Sequence, residues 1–131
     1  MVKKRIAPRV CVIDANREHV DEIAKHLRSN GFRVLTCLSP RGALGRIRRE
    51  LPDAVVVEVI LPGVTGFEIA ARMEASRRLS QIPVFFTTDI QNSSGDNHDY
   101  FPRPLDIPAF MCALRERTMK GERRKGKDAR E

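Results

Sequence analysis

The sequence predicts an α/β fold, a doubly wound parallel sheet with helices on both faces, and three observations predict it. Five short apolar segments alternate with amphipathic stretches along the 131 residues. One segment, Ala54-Val55-Val56-Val57, is continuously apolar and β-branched, as expected of a strand covered on both faces. Polar and charged residues stand at the C-terminal ends of the segments, the edge where open α/β sheets gather ligands.

Taken in order, Arg9–Ile13 is the first strand and ends at Asp14, and the polar turn Asp14-Ala15-Asn16 leads into a helix. In that helix Val20, Ile23, Ala24 and Leu27 recur at helical spacing, and Asn30-Gly31 is a stop signal. Residues 32–38 form the second strand. Ser39-Pro40 is expected to open the second helix as cap and first position, with Ala43, Leu44, Ile47 and Leu51 on its buried side. The third strand ends at Glu58, and Leu61-Pro62-Gly63 with Thr65-Gly66 reads as a turn-rich loop. Phe67, Ile69, Ala70 and Met73 start the third helix. Residues 82–87 make the fourth strand, followed by Thr88 and Asp89.

The stretch from Ile90 to His98 is polar and poor in helix formers, so a helix there is expected to be shortened or absent. Val84, Phe85 and Phe86 would then border an exposed apolar surface, the mark of an interface. Asp99-Tyr100-Phe101 is the fifth strand, Pro102-Arg103-Pro104 ends it, and Asp106 caps a last helix carrying Ile107, Met111 and Leu114.

Charge divides the chain into three. The formal net charge is +7, but residues 1–9 hold four basic residues and no acid, residues 119–131 hold six basic and three acidic, and residues 10–118 hold 14 of each sign. The expected organisation is a basic extension over 1–8, one domain over 9–118 and a basic, disordered tail over 119–131. The absence of a long apolar run or an apolar leader points to a cytoplasmic protein without a membrane span. Cys11, Cys37 and Cys112 are odd in number and embedded in apolar segments, so they read as small buried hydrophobes. His19 and His26 lie seven apart, without the four-residue spacing of helical metal ligands.

Asp14, Glu58, Thr88 and Arg103 fall at the ends of the first, third, fourth and fifth strands and converge on one cleft in such a sheet. Two acids, a hydroxyl and a cation suit a metal or a phosphoryl group. At this point the sequence resembles the receiver domain of two-component response regulators. The matching pieces are VCVIDAN, PDAVVVEVILPGVTGFE, IPVFFTT and YFPRP, over residues 9–118. The resemblance implies the flavodoxin-like strand order 2-1-3-4-5.

It also implies an aspartate acceptor ending the third strand, Mg²⁺ held by acids after the first, a Thr or Ser after the fourth, and a Lys before a cis proline after the fifth. By position, Asp14 matches one acid, Ala15 falls where a second is usual, Glu58 replaces the acceptor, Thr88 matches the hydroxyl, and Arg103 replaces the Lys before Pro104. Tyr100 matches the aromatic whose rotation reports activation.

Ala15 offers Mg²⁺ no oxygen. Glu58 carries its carboxylate roughly an ångström too far, a displacement worth about a hundredfold in rate. Arg103 presents a planar fork in place of a point charge. The expectation is a pseudo-receiver with a degenerate phosphorylation site and no cofactor, Mg²⁺ on Asp14 and Glu58 being the weaker alternative. A Glu58–Arg103 ion pair, bidentate if geometry allows, would either fix an active-like arrangement or form an inert pair; the sequence leaves both open.

The expected role is a stand-alone signalling module, not an enzyme, that docks a signalling protein or a second copy of itself through the fourth strand, fifth strand and last helix. Residual Mg²⁺-dependent phosphotransfer is one alternative. Binding of an anionic polymer or membrane by the basic tails is another; nucleic acid is not expected, since no aromatic residues interleave with the charges.

Overall fold

The structure, a computed structural model, describes residues 6–90 and 99–130, with 119–130 as backbone only. Its strands are β1 (Arg9–Ile13), β2 (Arg33–Cys37), β3 (Ala54–Glu58), β4 (Ile60–Leu61), β5 (Val64–Thr65), β6 (Val84–Thr88) and β7 (Tyr100–Pro102). Its helices are α1 (Arg17–Ser29), α2 (Ala43–Glu50), α3 (Gly66–Glu74) and α4 (Ile107–Arg130). Five strands form one parallel sheet in the order β2-β1-β3-β6-β7. With β4 and β5 set apart as a small antiparallel ribbon, this is the expected order 2-1-3-4-5.

Strand pleat sorts the core into two layers. Val10, Val12, Ala54, Val56 and Phe85 face Val20, Ile23 and Leu27 of α1 and Phe110, Met111 and Leu114 of α4. Cys11, Ile13, Val55, Val57 and Phe86 face Ala43 and Ile47 of α2 and Ile69 and Met73 of α3. Every residue of β3 is buried, which accounts for its unbroken apolar run. The expected shortening of a helix before the last strand falls on residues 91–98, outside the described residues; among those described, no helix lies between β6 and β7.

Several expectations are corrected. Helix α2 starts at Ala43, because Ser39 Oγ accepts from the Arg41 amide (3.1 Å) and Pro40 carbonyl accepts from the Ala43 amide (3.1 Å). Ser39 thus closes a turn, and the helix begins after Gly42, whose φ of 80° suits a residue without Cβ. Leu51, placed on the buried side by periodicity, is the left-handed residue that ends α2 and is 42% exposed.

Phe85, expected beside an exposed surface, is fully buried. Its ring lies among Phe101 and Phe110 (centroids 6.1 and 6.5 Å), with the Arg117 guanidinium 5.5 Å above it. Phe86 points to the opposite layer and is also buried. The backbone of α4 continues to Arg130 through the segment expected to be disordered, a run whose Lys, Arg and Glu are good helix formers.

Cys112 is exposed and Cys37 half-buried, so only Cys11 is the buried hydrophobe expected. Hydrogen bonding to Cys11, with help from the nearby Arg46 charge, lowers the Cys37 thiol to about 7, while the same bond and burial push Cys11 up.

Candidate functional site

The site lies at the C-terminal edge of the sheet, and backbone bonds fix each of its walls. The Asp14 amide donates to Cys37 carbonyl (3.1 Å), the Val59 amide to Thr87 carbonyl (2.9 Å) and the Arg103 amide to Thr88 carbonyl (2.8 Å). The chain after Glu58 folds back through the β4–β5 ribbon, where Gly63 takes φ 77°. Gly66 then bonds Val59 carbonyl (2.7 Å) and lies so close that a Cβ there would collide with Glu58 carbonyl. A bare backbone at Gly66 therefore holds the strand end that presents Glu58.

Helix α3 is nucleated beside it by a capping box: Thr65 Oγ1 accepts from the Glu68 amide (3.2 Å) and Glu68 Oε1 from the Thr65 amide (2.9 Å). The spacing T-x-x-E makes this legible in the sequence, though a plain turn was expected there.

Three charged side chains meet in the cleft. Arg103 Nη2 donates to Asp14 Oδ2 (2.7 Å) and to Glu58 Oε1 (2.5 Å), while Nη1 donates to Asp89 Oδ1 (3.1 Å). The side chains of Arg103, Asp14 and Glu58 are only 13%, 5% and 9% exposed, whereas Asp89 is largely in solvent. The anticipated Glu58–Arg103 pair is present, but one nitrogen serves two acids and the other turns outward to Asp89. A two-nitrogen fork on Glu58 does not form, because Asp14 approaches the same nitrogen from the first strand. Burial on its own would lower the basicity of Arg103. The hydrogen bond and charge of Glu58, then the charge of Asp14, more than reverse this, so its pKa is raised.

Other candidates fall as follows. Ala15 is exposed at the lip and contributes no polar side-chain atom. Thr88 is buried, and its Oγ1 accepts from the Ile90 amide (3.1 Å). The preceding hydroxyl, Thr87 Oγ1, is the one within 3.5 Å of Arg103 Nη2. The Arg103–Pro104 bond is cis. Tyr100 is half-buried with its ring 5.3 Å from Phe86 and 5.9 Å from Phe67, and burial raises its pKa. Phe67, 44% exposed, covers both rings from α3. Between it and Arg117 runs a groove of about 350 Å³ floored by Val84 and Phe86.

Sequence reasoning missed His19. Asn16 caps α1 by accepting from the His19 amide (3.1 Å), and its own amide donates to Asp14 Oδ1 (2.9 Å). That first turn returns the imidazole to the site, with Nδ1 3.2 Å from Asp14 Oδ2. The signal was available: a cap residue directly after the strand end aims its third follower back at that end.

Comparisons with known proteins agree with this geometry. The family model for the response regulator receiver domain matches residues 10–101. The transcriptional regulatory protein AfsQ1 of Streptomyces coelicolor is 33% identical over 74% of this chain, and the match spans 45% of that protein, so the chain covers just under half of its length. A putative response regulator from Chloroflexus aurantiacus has the same fold, with a TM-score of 0.79 at 21% identity, over 86% of this chain and 98% of that one. The receiver domain of the sensor histidine kinase PA1611 from Pseudomonas aeruginosa, solved with a magnesium ion in its active site cleft, gives a TM-score of 0.75 at 19% identity, over 86% and 98%.

Proposed function

Because the chain belongs to the response regulator receiver domain family, a family of signalling modules, we propose that it acts as a pseudo-receiver that binds partners without being phosphorylated. The observation that carries this reading is Arg103 Nη2 seated between Asp14 and Glu58. A fixed guanidinium there neutralises the acids that a mobile cation would otherwise bridge.

We read the donor set as a poor fit for Mg²⁺, the ion the fold family implies. Mg²⁺ needs near-octahedral oxygen ligation, Ala15 adds no oxygen, and the oxygens that Asp14 and Glu58 turn inward are engaged by Arg103. Glu58 is also longer than an aspartate, so its carboxylate occupies the space into which an acceptor would receive a phosphoryl group. Nothing in the proposed role requires catalysis; the protein is read as a cytoplasmic binding module. No helix among the described residues is long and apolar enough to cross a membrane.

The partner surface follows from the same reading. With Phe85 withdrawn into the core, the exposed apolar features beside β6, β7 and α4 are Phe67 and the groove it shares with Val84, Phe86 and Arg117. Tyr100 stands at this groove and, through β7, three residues before Arg103. The state of the ion cluster is thereby coupled to the docking face, and a signalling protein or a second copy is the occupant expected.

Incubation with acetyl phosphate and Mg²⁺, followed by intact-mass measurement, tests the proposal. No phosphoryl adduct should form. An adduct that requires Mg²⁺ and disappears in Glu58→Gln would instead establish residual phosphotransfer.

A further inference from the structure

From the ligand geometry we infer that the cleft is a binding site for a divalent transition metal of the zinc type, held by Asp14, His19 and Glu58. One donor atom from each of these three residues lies within 4.8 Å of the others. This rests on the reading that the cleft does not hold Mg²⁺, and it assigns His19 a role as the nitrogen ligand. An imidazole in place of an oxygen moves the preference of a site from hard cations toward zinc, cobalt and nickel.

Dimensions support the assignment. Ligand distances of about 2.0–2.2 Å around a tetrahedral ion put neighbouring donors roughly 3.3 Å apart, and His19 Nδ1 to Asp14 Oδ2 is 3.2 Å. Glu58, with one more rotatable bond than aspartate, can swing its carboxylate to close the third edge. Asn16 already fixes Asp14 through Oδ1, leaving Oδ2 to face the ion, the kind of outer hydrogen bond that orients a ligand. The fourth position opens onto a cavity of about 470 Å³ walled by Ile60, Leu61, Pro62 and Ile90, where a water completes the shell.

Binding must displace Arg103 Nη2, which holds the same two carboxylate oxygens. His19 donates Nδ1–H to Asp14 in the metal-free protein; with metal bound, Nδ1 gives its lone pair to the ion and the ring proton resides at Nε2. The guanidinium and the metal are therefore alternative occupants of one anionic pocket. Since Arg103 follows β7 directly, exchanging them would report metal to the Tyr100 face.

The test is a titration of the intact chain carrying Cys112→Ser, which removes the exposed thiol, with Co²⁺ alone followed visibly, then competition with Zn²⁺. Expected are low-coordinate Co²⁺ absorption bands that Zn²⁺ abolishes and that His26→Ala preserves. His19→Ala should weaken binding at least tenfold, and Arg103→Met should tighten it by removing the competitor. Bands that survive His19→Ala, or none even in Arg103→Met, overturn the inference. A parallel Mg²⁺ titration separates the two readings. If neither Co²⁺ nor Mg²⁺ binds, the transition-metal site fails and the pseudo-receiver stands. If Mg²⁺ displaces Co²⁺ at equal concentration, both fail.

Discussion

Replacing Arg103 with Met destabilises the fold by about 3–5 kcal/mol, the usual consequence of removing one partner from a buried ion pair. The guanidinium is the charge that faces both Asp14 and Glu58, whose side chains are 5% and 9% exposed. Met fills a similar volume, so the loss reports charge and hydrogen bonding more than packing. Adding Asp14→Asn and Glu58→Gln to Arg103→Met removes the stranded charges and should recover much of the loss. Urea denaturation of the single and triple variants measures both. Equal stability of Arg103→Met and wild type would mean that the cluster carries no structural weight.

The second large effect is a gain. Ala15→Asp, Glu58→Asp and Arg103→Lys together should give a protein that responds to beryllofluoride and Mg²⁺, where the wild type does not. Ala15→Asp adds a hard oxygen ligand. Glu58→Asp withdraws the carboxylate by about an ångström, a distance worth roughly a hundredfold when a reacting group is misplaced. Arg103→Lys replaces a fork shared by three acids with a point charge. Tyr100 is the single tyrosine in a chain without tryptophan, so its fluorescence reads the response directly. A triple variant as silent as wild type, though folded, would show that other residues block the chemistry.

The sheet was legible because its signals are local: β-branched runs for β1 and β3, and helical spacing in α1, α3 and α4. Asp14, Glu58 and Arg103 could be placed together because parallel strands bring their C-terminal ends to one edge. What escaped depended on pleat parity. Choosing between Thr87 and Thr88, or between Phe85 and Phe86, requires knowing which face each consecutive residue takes, and a one-residue change inverts the answer. Motif matching selected Thr88, yet Thr87 lies on the Phe85 side and approaches Arg103. His19 escaped for a different reason. Its spacing to His26 was weighed, while its return to Asp14 through the Asn16 cap depends on the path of one turn. The start of α2 was misplaced because Ser39 can close a turn as readily as cap a helix.

The central claim is that a protein guanidinium, and not Mg²⁺, is the cation of this cleft. Its most direct test is NMR of the Arg103 side-chain N–H signals while Mg²⁺ is added to the wild-type protein. The account predicts protected signals that do not shift as Mg²⁺ rises to saturating levels for a working receiver. A saturable Mg²⁺-dependent shift, with loss of the contacts from Arg103 to Asp14 and Glu58, would contradict it.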